Sequence, residues 1–156
     1  MDVRLANAKD AYAVRLVGLR TWPATYGPIA GADYVSYGLA RWWSPEAVRR
    51  SIEGQGTFVA VAGDDVVGTA TVGELDGSPV LWKLYVLPDF HGFGIGSALL
   101  EAVLASLPPG ADRLRLSYVD GNDEAERFYR RRGFVEVARH PDPEGPDGIW
   151  MEKMLA

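Results

Sequence analysis

Apolar and polar positions alternate along this chain with two periods, and the switches between those periods mark out its elements. Val3 to Leu5 reads as a short strand. Asn7 followed by Asp10 has the form of a helix start ahead of Ala11, Val14, Leu16, Val17 and Leu19. From Trp22 to Trp43 the chain is interrupted by Pro23, Gly27, Pro28, Gly31 and Gly38 and is dense in aromatics, which predicts an irregular, packed connector. Ser44-Pro45-Glu46 supplies a cap, a proline at the first helical position and an acid in the first turn, opening a helix that ends near Gly54. Thr57 to Ala62, Val66 to Leu75 and Val80 to Val86 are rich in β-branched and aromatic residues and are separated by turn sequences, so they form an antiparallel meander. A glycine-rich loop leads into a helix over Ile95 to Leu107, stopped by Pro108-Pro109-Gly110. Leu114 to Tyr118 is a fifth strand, Asp123 to Arg132 a helix closed by Gly133, and Phe134 to Ala138 a sixth strand. A loop of proline, aspartate and glycine precedes a final strand over Ile149 to Leu155. This order predicts an α/β fold with an open, mixed, mostly antiparallel sheet of about seven strands flanked by helices, the helix after Val86 being the crossover of a β-α-β unit.

At 156 residues, with no linker or repeat, residues 1–156 are expected to fold as one domain. No run approaches the roughly 20 apolar residues of a membrane span. The start, Met1-Asp2-Val3-Arg4-Leu5, lacks the basic end and apolar run of a secretory signal, so the cytoplasm is the expected compartment. The absence of cysteine excludes disulfides, thiolate metal sites and a cysteine nucleophile. His91 and His140 stand far apart, and no metal site is expected. A net charge of -5 opposes attraction to phosphate backbones, despite a basic run at Arg127, Arg130, Arg131 and Arg132, so neither nucleic acid nor membrane is an expected partner.

The candidate chemistry lies between Leu84 and Leu100. A strand delivers the chain to Gly92, Gly94 and Gly96 at alternate positions, and the loop opens directly into an amphipathic helix. Glycines let a backbone bend closely round a bulky anion, and a helix's first turn leaves N–H groups unpaired at the positive end of its dipole. The pattern suits a pyrophosphate cradle and, equally, a tight strand-to-helix turn. A dinucleotide fingerprint beginning at Gly92 needs glycine or alanine where Ser97 stands, and one beginning at Gly94 needs it where Leu99 stands. Neither register fits. No lysine followed by serine or threonine comes after the glycines, which excludes a P-loop.

With the strand in front of it, the loop resembles the coenzyme-binding motif of the GNAT superfamily of N-acetyltransferases: glutamine or arginine, two residues, glycine, one residue, then glycine or alanine. Gly94 and Gly96 match, while His91 replaces the usual first residue. Asn122, Ala125, Phe128-Tyr129 and Gly133-Phe134 resemble the second motif of the same superfamily, and the two motifs stand in the right order. The resemblance implies a GNAT-like fold and an acetyl-coenzyme A-dependent N-acetyltransferase. It implies that the backbone of Leu84, Tyr85 and Val86 pairs with the pantetheine arm, admitted by a bulge after Val86 that splays the neighbouring strands. His91, Gly92, Phe93, Gly94, Ile95, Gly96 and Ser97 would surround the pyrophosphate, and Asn122 and the start of the next helix would meet the coenzyme from the other side. A histidine at position 91 leaves the backbone cradle intact and adds a residue type that titrates near neutral pH.

An amine must be neutral to attack a thioester, and the thiolate it expels, with a pKa near 8.5, can be protonated by a phenol. By the resemblance Tyr129 touches the coenzyme and is the expected catalytic acid. Helical spacing alone would make it core. A backbone N–H at the splayed end of the Val80 to Val86 strand could hold the thioester oxygen. Glu74 and Asp120 are candidate bases by position only, ordered water is the alternative, and Lys83 stands where some members carry a glutamate nearby. The aromatic segment from Trp22 to Trp43 occupies the place that often lines the acceptor pocket; its rings are expected to pack on the sheet or a second subunit, with a homodimer possible and a subset free for the pocket wall. The expected acceptor is a small primary amine, polyamines included, or the N-terminus or a lysine of a peptide. The rival readings are a non-catalytic acyl-coenzyme A sensor and a nucleotide-dependent oxidoreductase, the latter disfavoured by the failed fingerprint.

Overall fold

A computed structural model describes residues 1–155. One sheet of seven strands runs through it: β1 (Asp2–Leu5), β2 (Thr57–Ala62), β3 (Asp65–Leu75), β4 (Ser78–Val86), β5 (Arg113–Val119), β6 (Val135–Asp142) and β7 (Gly145–Met154), in the spatial order β1-β2-β3-β4-β5-β7-β6. Helices α1 (Ala11–Ala30), α2 (Ala32–Trp42), α3 (Pro45–Glu53), α4 (Ile95–Ser106) and α5 (Asp123–Arg131) cover its faces. Every pairing is antiparallel except that of β4 with β5, the strands joined through α4. This is the mixed, mostly antiparallel α/β fold that the hydrophobic periods predict.

Successive strand residues point to opposite faces, and here both faces are covered. On one, Ala60, Ala70, Leu81 and Leu116 meet Ile95, Leu99 and Val103 of α4 and Tyr129 of α5. On the other, Val59 and Tyr85 meet Val14, Trp22 and Tyr26 of α1, with Tyr34 of α2 and Trp43. The start of α3 is as read: the Ser44 hydroxyl accepts from the Ala47 N–H, proline follows, and Gly54 ends the helix.

Three expectations need correction. The supposed connector from Trp22 to Trp43 is helical: α1 runs on to Ala30 and α2 fills Ala32–Trp42, with Gly31 at positive φ as the only break. Pro23 and Pro28 sit on the exposed side of α1, where the carbonyls that lose a donor can turn to water. The rings on the inner side hold the helix together across them. Second, the loop before β7 is only a tight turn, since β6 extends to Asp142 and β7 begins at Gly145. Asp142↔Gly145 pairing and the Asp142 carboxylate, which accepts from the Glu144 N–H, close that hairpin. Third, the bulge in β4 is not after Val86. The β3–β4 register jumps from Thr71↔Lys83 to Val72↔Leu81, so Trp82 is the extra residue.

Candidate active site

The parallel β4–β5 ladder covers only Val80↔Arg115 and Leu81↔Leu116. Immediately beyond it, the Trp82 bulge bends β4 away, and the two strands diverge. Which backbone groups this releases follows from the antiparallel ladder on the other side. Leu87 N–H donates to the Val67 carbonyl at 2.8 Å, so Leu87 and, two residues back, Tyr85 face β3. Leu84 and Val86 must then present their N–H and C=O groups to the gap. A cleft of about 580 Å³ opens there, walled by β4, β5, α1, α4 and α5.

At its mouth Gly92 and Gly94 adopt φ of +85° and +77°, a left-handed backbone that favours glycine. A Cβ built on either meets nothing within 4 Å, so the concavity in front of the α4 N-terminus is open. Gly96 is tight instead, with a Cβ falling 3.2 Å from the Phe128 ring, and this lets α4 and α5 approach each other. Of the residues singled out by sequence, Leu84, Tyr85, Val86, His91, Gly92, Gly94, Ile95, Gly96, Ser97, Asn122 and Tyr129 line the cleft. Phe93 does not; its ring is 74% exposed. His91 folds back on its own strand, its Nε2 donating to the Val86 carbonyl at 2.8 Å. Asn122 caps α5, its side chain accepting from the Ala125 N–H.

Tyr129 is buried at the inner end of the cleft between Phe128 and Phe134. Burial holds its phenol well above the ordinary range, so it stays protonated at neutral pH. Tyr26 and Tyr85 join their hydroxyls at 2.9 Å on the α1 side, and burial raises both phenols as well. The two carboxylates considered as bases stand elsewhere. Asp120 pairs with Arg139 at 3.2 Å, and Glu74 lies opposite Pro79 near the β3–β4 turn. Neither lines the cleft.

Other lining residues escaped the sequence reading. Tyr26 was hidden in the aromatic segment taken as a connector, and Thr21 and Thr25 belong to the unforeseen second half of α1. Arg132 lies over the Phe128 ring at 3.6 Å and bonds the Ser97 hydroxyl, placing a cation beside the glycine loop. Its only signal was the basic run. Lys83 lines the cleft half-buried, and the bulge one residue before it turns it toward α1–α3.

Comparison with known proteins agrees with this geometry. The sequence pattern described as an acetyltransferase (GNAT) domain matches residues 53–136. The chain is 31% identical over 129 residues to an uncharacterized N-acetyltransferase of Mycobacterium tuberculosis, covering 80% of this chain and 83% of that protein. A mycothiol acetyltransferase of Salinispora arenicola is 40% identical over 74 residues, 44% of this chain and 24% of that one. In fold, the chain superimposes with a TM-score of 0.85 on the crystal structure of the PaiA N-acetyltransferase from Thermoplasma acidophilum in complex with coenzyme A, at 22% identity over 99% of this chain and 98% of that one. The matched pattern spans the glycine loop and all of α5, and the chain belongs to the GNAT family of acetyltransferases, acyltransferases that use acetyl-coenzyme A as cosubstrate.

Proposed function

We propose that this protein moves the acetyl group by direct attack of a primary amine, of a small molecule or a peptide, within the cleft between β4 and β5. The observation that carries the reading is the splay itself. Backbone groups of Leu84 and the N–H of Val86, freed from the ladder, line a slot that runs from an open glycine cradle to a buried phenol, while the Val86 carbonyl is held by His91. The residues present fit the cosubstrate. Leu84 and Val86 offer an amide-bearing arm the edge of a strand, while the Gly92 to Ser97 backbone and Arg132 offer N–H groups and positive charge to a diphosphate.

The cosubstrate supplies a thioester whose carbonyl carbon forms the new C–N bond as its C–S bond breaks. The chain's part is to position and to handle protons. A β4 backbone N–H beyond the bulge holds the carbonyl oxygen as it gains charge. Tyr129 donates its proton to the departing sulfur. Burial keeps the phenol protonated until charge develops on sulfur and, since a phenol is the weaker acid of the two, the transfer is completed when the phenolate is reprotonated through water by the proton that nitrogen loses as the amide forms. Glu124 is the one carboxylate on the cleft wall among the described residues, and it stands on α5. The acceptor therefore loses its proton to water.

Calorimetry with acetyl-coenzyme A, followed by thiol release from a panel of amines, tests this. Saturation at about 100 times the dissociation constant stabilises the fold by about 2.7 kcal/mol. Absence of both heat and stabilisation would remove the reading; binding without thiol release from any amine would favour a sensor. Tyr129→Phe should bind acetyl-coenzyme A as wild type does and turn over tenfold to about a hundredfold more slowly. Because the phenol is raised, wild-type turnover should show no alkaline loss from Tyr129 below about pH 10. Unchanged turnover in Tyr129→Phe would take the tyrosine out of the chemistry.

A further inference from the structure

The acceptor side of the cleft carries an unbalanced charge. Lys83 stands on β4 just past the last β4–β5 ladder pair, on the same face as Tyr85 and Trp43. Its ammonium lies 4.0 Å from the centre of the Trp43 ring and donates to the Trp42 carbonyl at the end of α2. An ammonium has three donors, those partners leave at least one of them free, and Lys83 is among the residues that line the cleft. No carboxylate lies within 4.0 Å of it among the described residues. Desolvation drops its pKa to about 8, which keeps it mostly charged at neutral pH and records how poorly the site compensates that charge.

The surroundings do not repair the imbalance. Thr25 of α1 and Ser117 of β5 bring hydroxyls to the same cleft, and Trp82, meeting Trp150 edge to face, forms its apolar rim. Farther along that face, Arg113 and Arg115 outnumber Glu152, which Arg113 already holds at 3.1 Å. A polyamine would bring a second ammonium beside Lys83, where no carboxylate stands within 4.0 Å; Glu124, the one acid on the cleft wall among the described residues, belongs to α5. Like charges disfavour one another, whereas an anion would supply the counter-charge that Lys83 lacks.

We infer that the acceptor is a primary amine that also carries a carboxylate, and that Lys83 is the residue that reads this anionic end. The inference rests on the acetyl-transfer reading and narrows it from amines in general to amino acid-like acceptors. It departs from the polyamine named among the acceptors the sequence suggested. Lys83 is a specificity residue here and takes no part in bond making.

The test compares amines matched in length and different only at the far end: glycine, ethanolamine and ethylenediamine, and γ-aminobutyrate, aminobutanol and diaminobutane. Thiol release from acetyl-coenzyme A gives kcat and KM, and calorimetry into the protein saturated with coenzyme A gives acceptor binding without turnover. Wild type should prefer the carboxylate member of a set over the diamine by at least about tenfold, the scale of one hydrogen bond to a charged group. Lys83→Met should remove that preference through KM while leaving the amino alcohol within about threefold, and Lys83→Glu should shift it toward the diamine. Acetyl-coenzyme A titration of each variant checks that it is folded. A diamine preferred by wild type, or an equal loss on all members in Lys83→Met, would overturn the inference, the second being what a mere cap on α2 would give. Thiol release without carboxylate preference sinks this inference alone. Carboxylate-selective binding without thiol release sinks the transfer reading alone, and neither binding nor release from any member sinks this inference.

Discussion

Gly94→Val should weaken acetyl-coenzyme A binding by at least about a hundredfold, the equivalent of two hydrogen bonds to a charged group lost together. At φ +77° this residue opens α4 in the left-handed region, where a side chain costs about 1–2 kcal/mol and a β-branched one fits worst. Since a Cβ there touches nothing in the protein, the chain can tolerate the valine by reshaping the loop. The added methyls would then project into the concavity on which the N–H groups converge. Melting should therefore fall by only a few degrees for a chain of this size, while calorimetric affinity collapses. An affinity within about threefold of wild type would mean that phosphates do not sit in this loop.

Gly18→Val should have the opposite signature, a large loss of stability from a clash in the core behind the cleft wall. A Cβ on Gly18 would lie 2.1 Å from the Trp43 ring, which is completely buried and cannot retreat. Replacing a mid-helix glycine by alanine ordinarily gains about 0.5–1 kcal/mol. Here that gain is outweighed by overpacking of about 1–3 kcal/mol for small insertions, and the branched valine should exceed it. Out of a total of about 5–15 kcal/mol, a loss near 3 kcal/mol is severe, and the denaturant midpoint should drop accordingly. Gly18→Ala that raises the midpoint would show that the ring does not pack there. Gly18→Ala combined with Trp43→Leu should recover part of the loss of Gly18→Ala, since the two sites share one contact.

These two glycines illustrate what the sequence could and could not disclose. Gly94 announced itself by position, between a strand and an amphipathic helix and in step with Gly92 and Gly96, so the cradle was legible. Gly18 looked like any glycine near a helix end because its partner lies 25 residues away and on another element. The same distance effect concealed the length of α1. Its buried positions Val14, Val17, Gly18, Thr21, Trp22 and Tyr26 keep one helical stripe straight across Pro23, but the proline reads locally as a stop. Packing against the sheet decides otherwise. The bulge was expected from resemblance yet misplaced, since register is a relation between two strands and only the pairing with β3 fixes it at Trp82. Base candidates chosen by position along the chain failed for a related reason. Asp120 is close to the cleft in sequence terms but sits in the turn after β5, where Arg139 of β6 holds it.

A strand that parts from its neighbour in mid-sheet exposes the kind of unpaired margin that elsewhere recruits foreign chains and seeds aggregates. In this protein that margin is recessed between α1 and α5, and the His91 ring covers the Val86 carbonyl at its outer end. The molecule can thus carry a permanently open seam in its centre without becoming sticky toward its own copies.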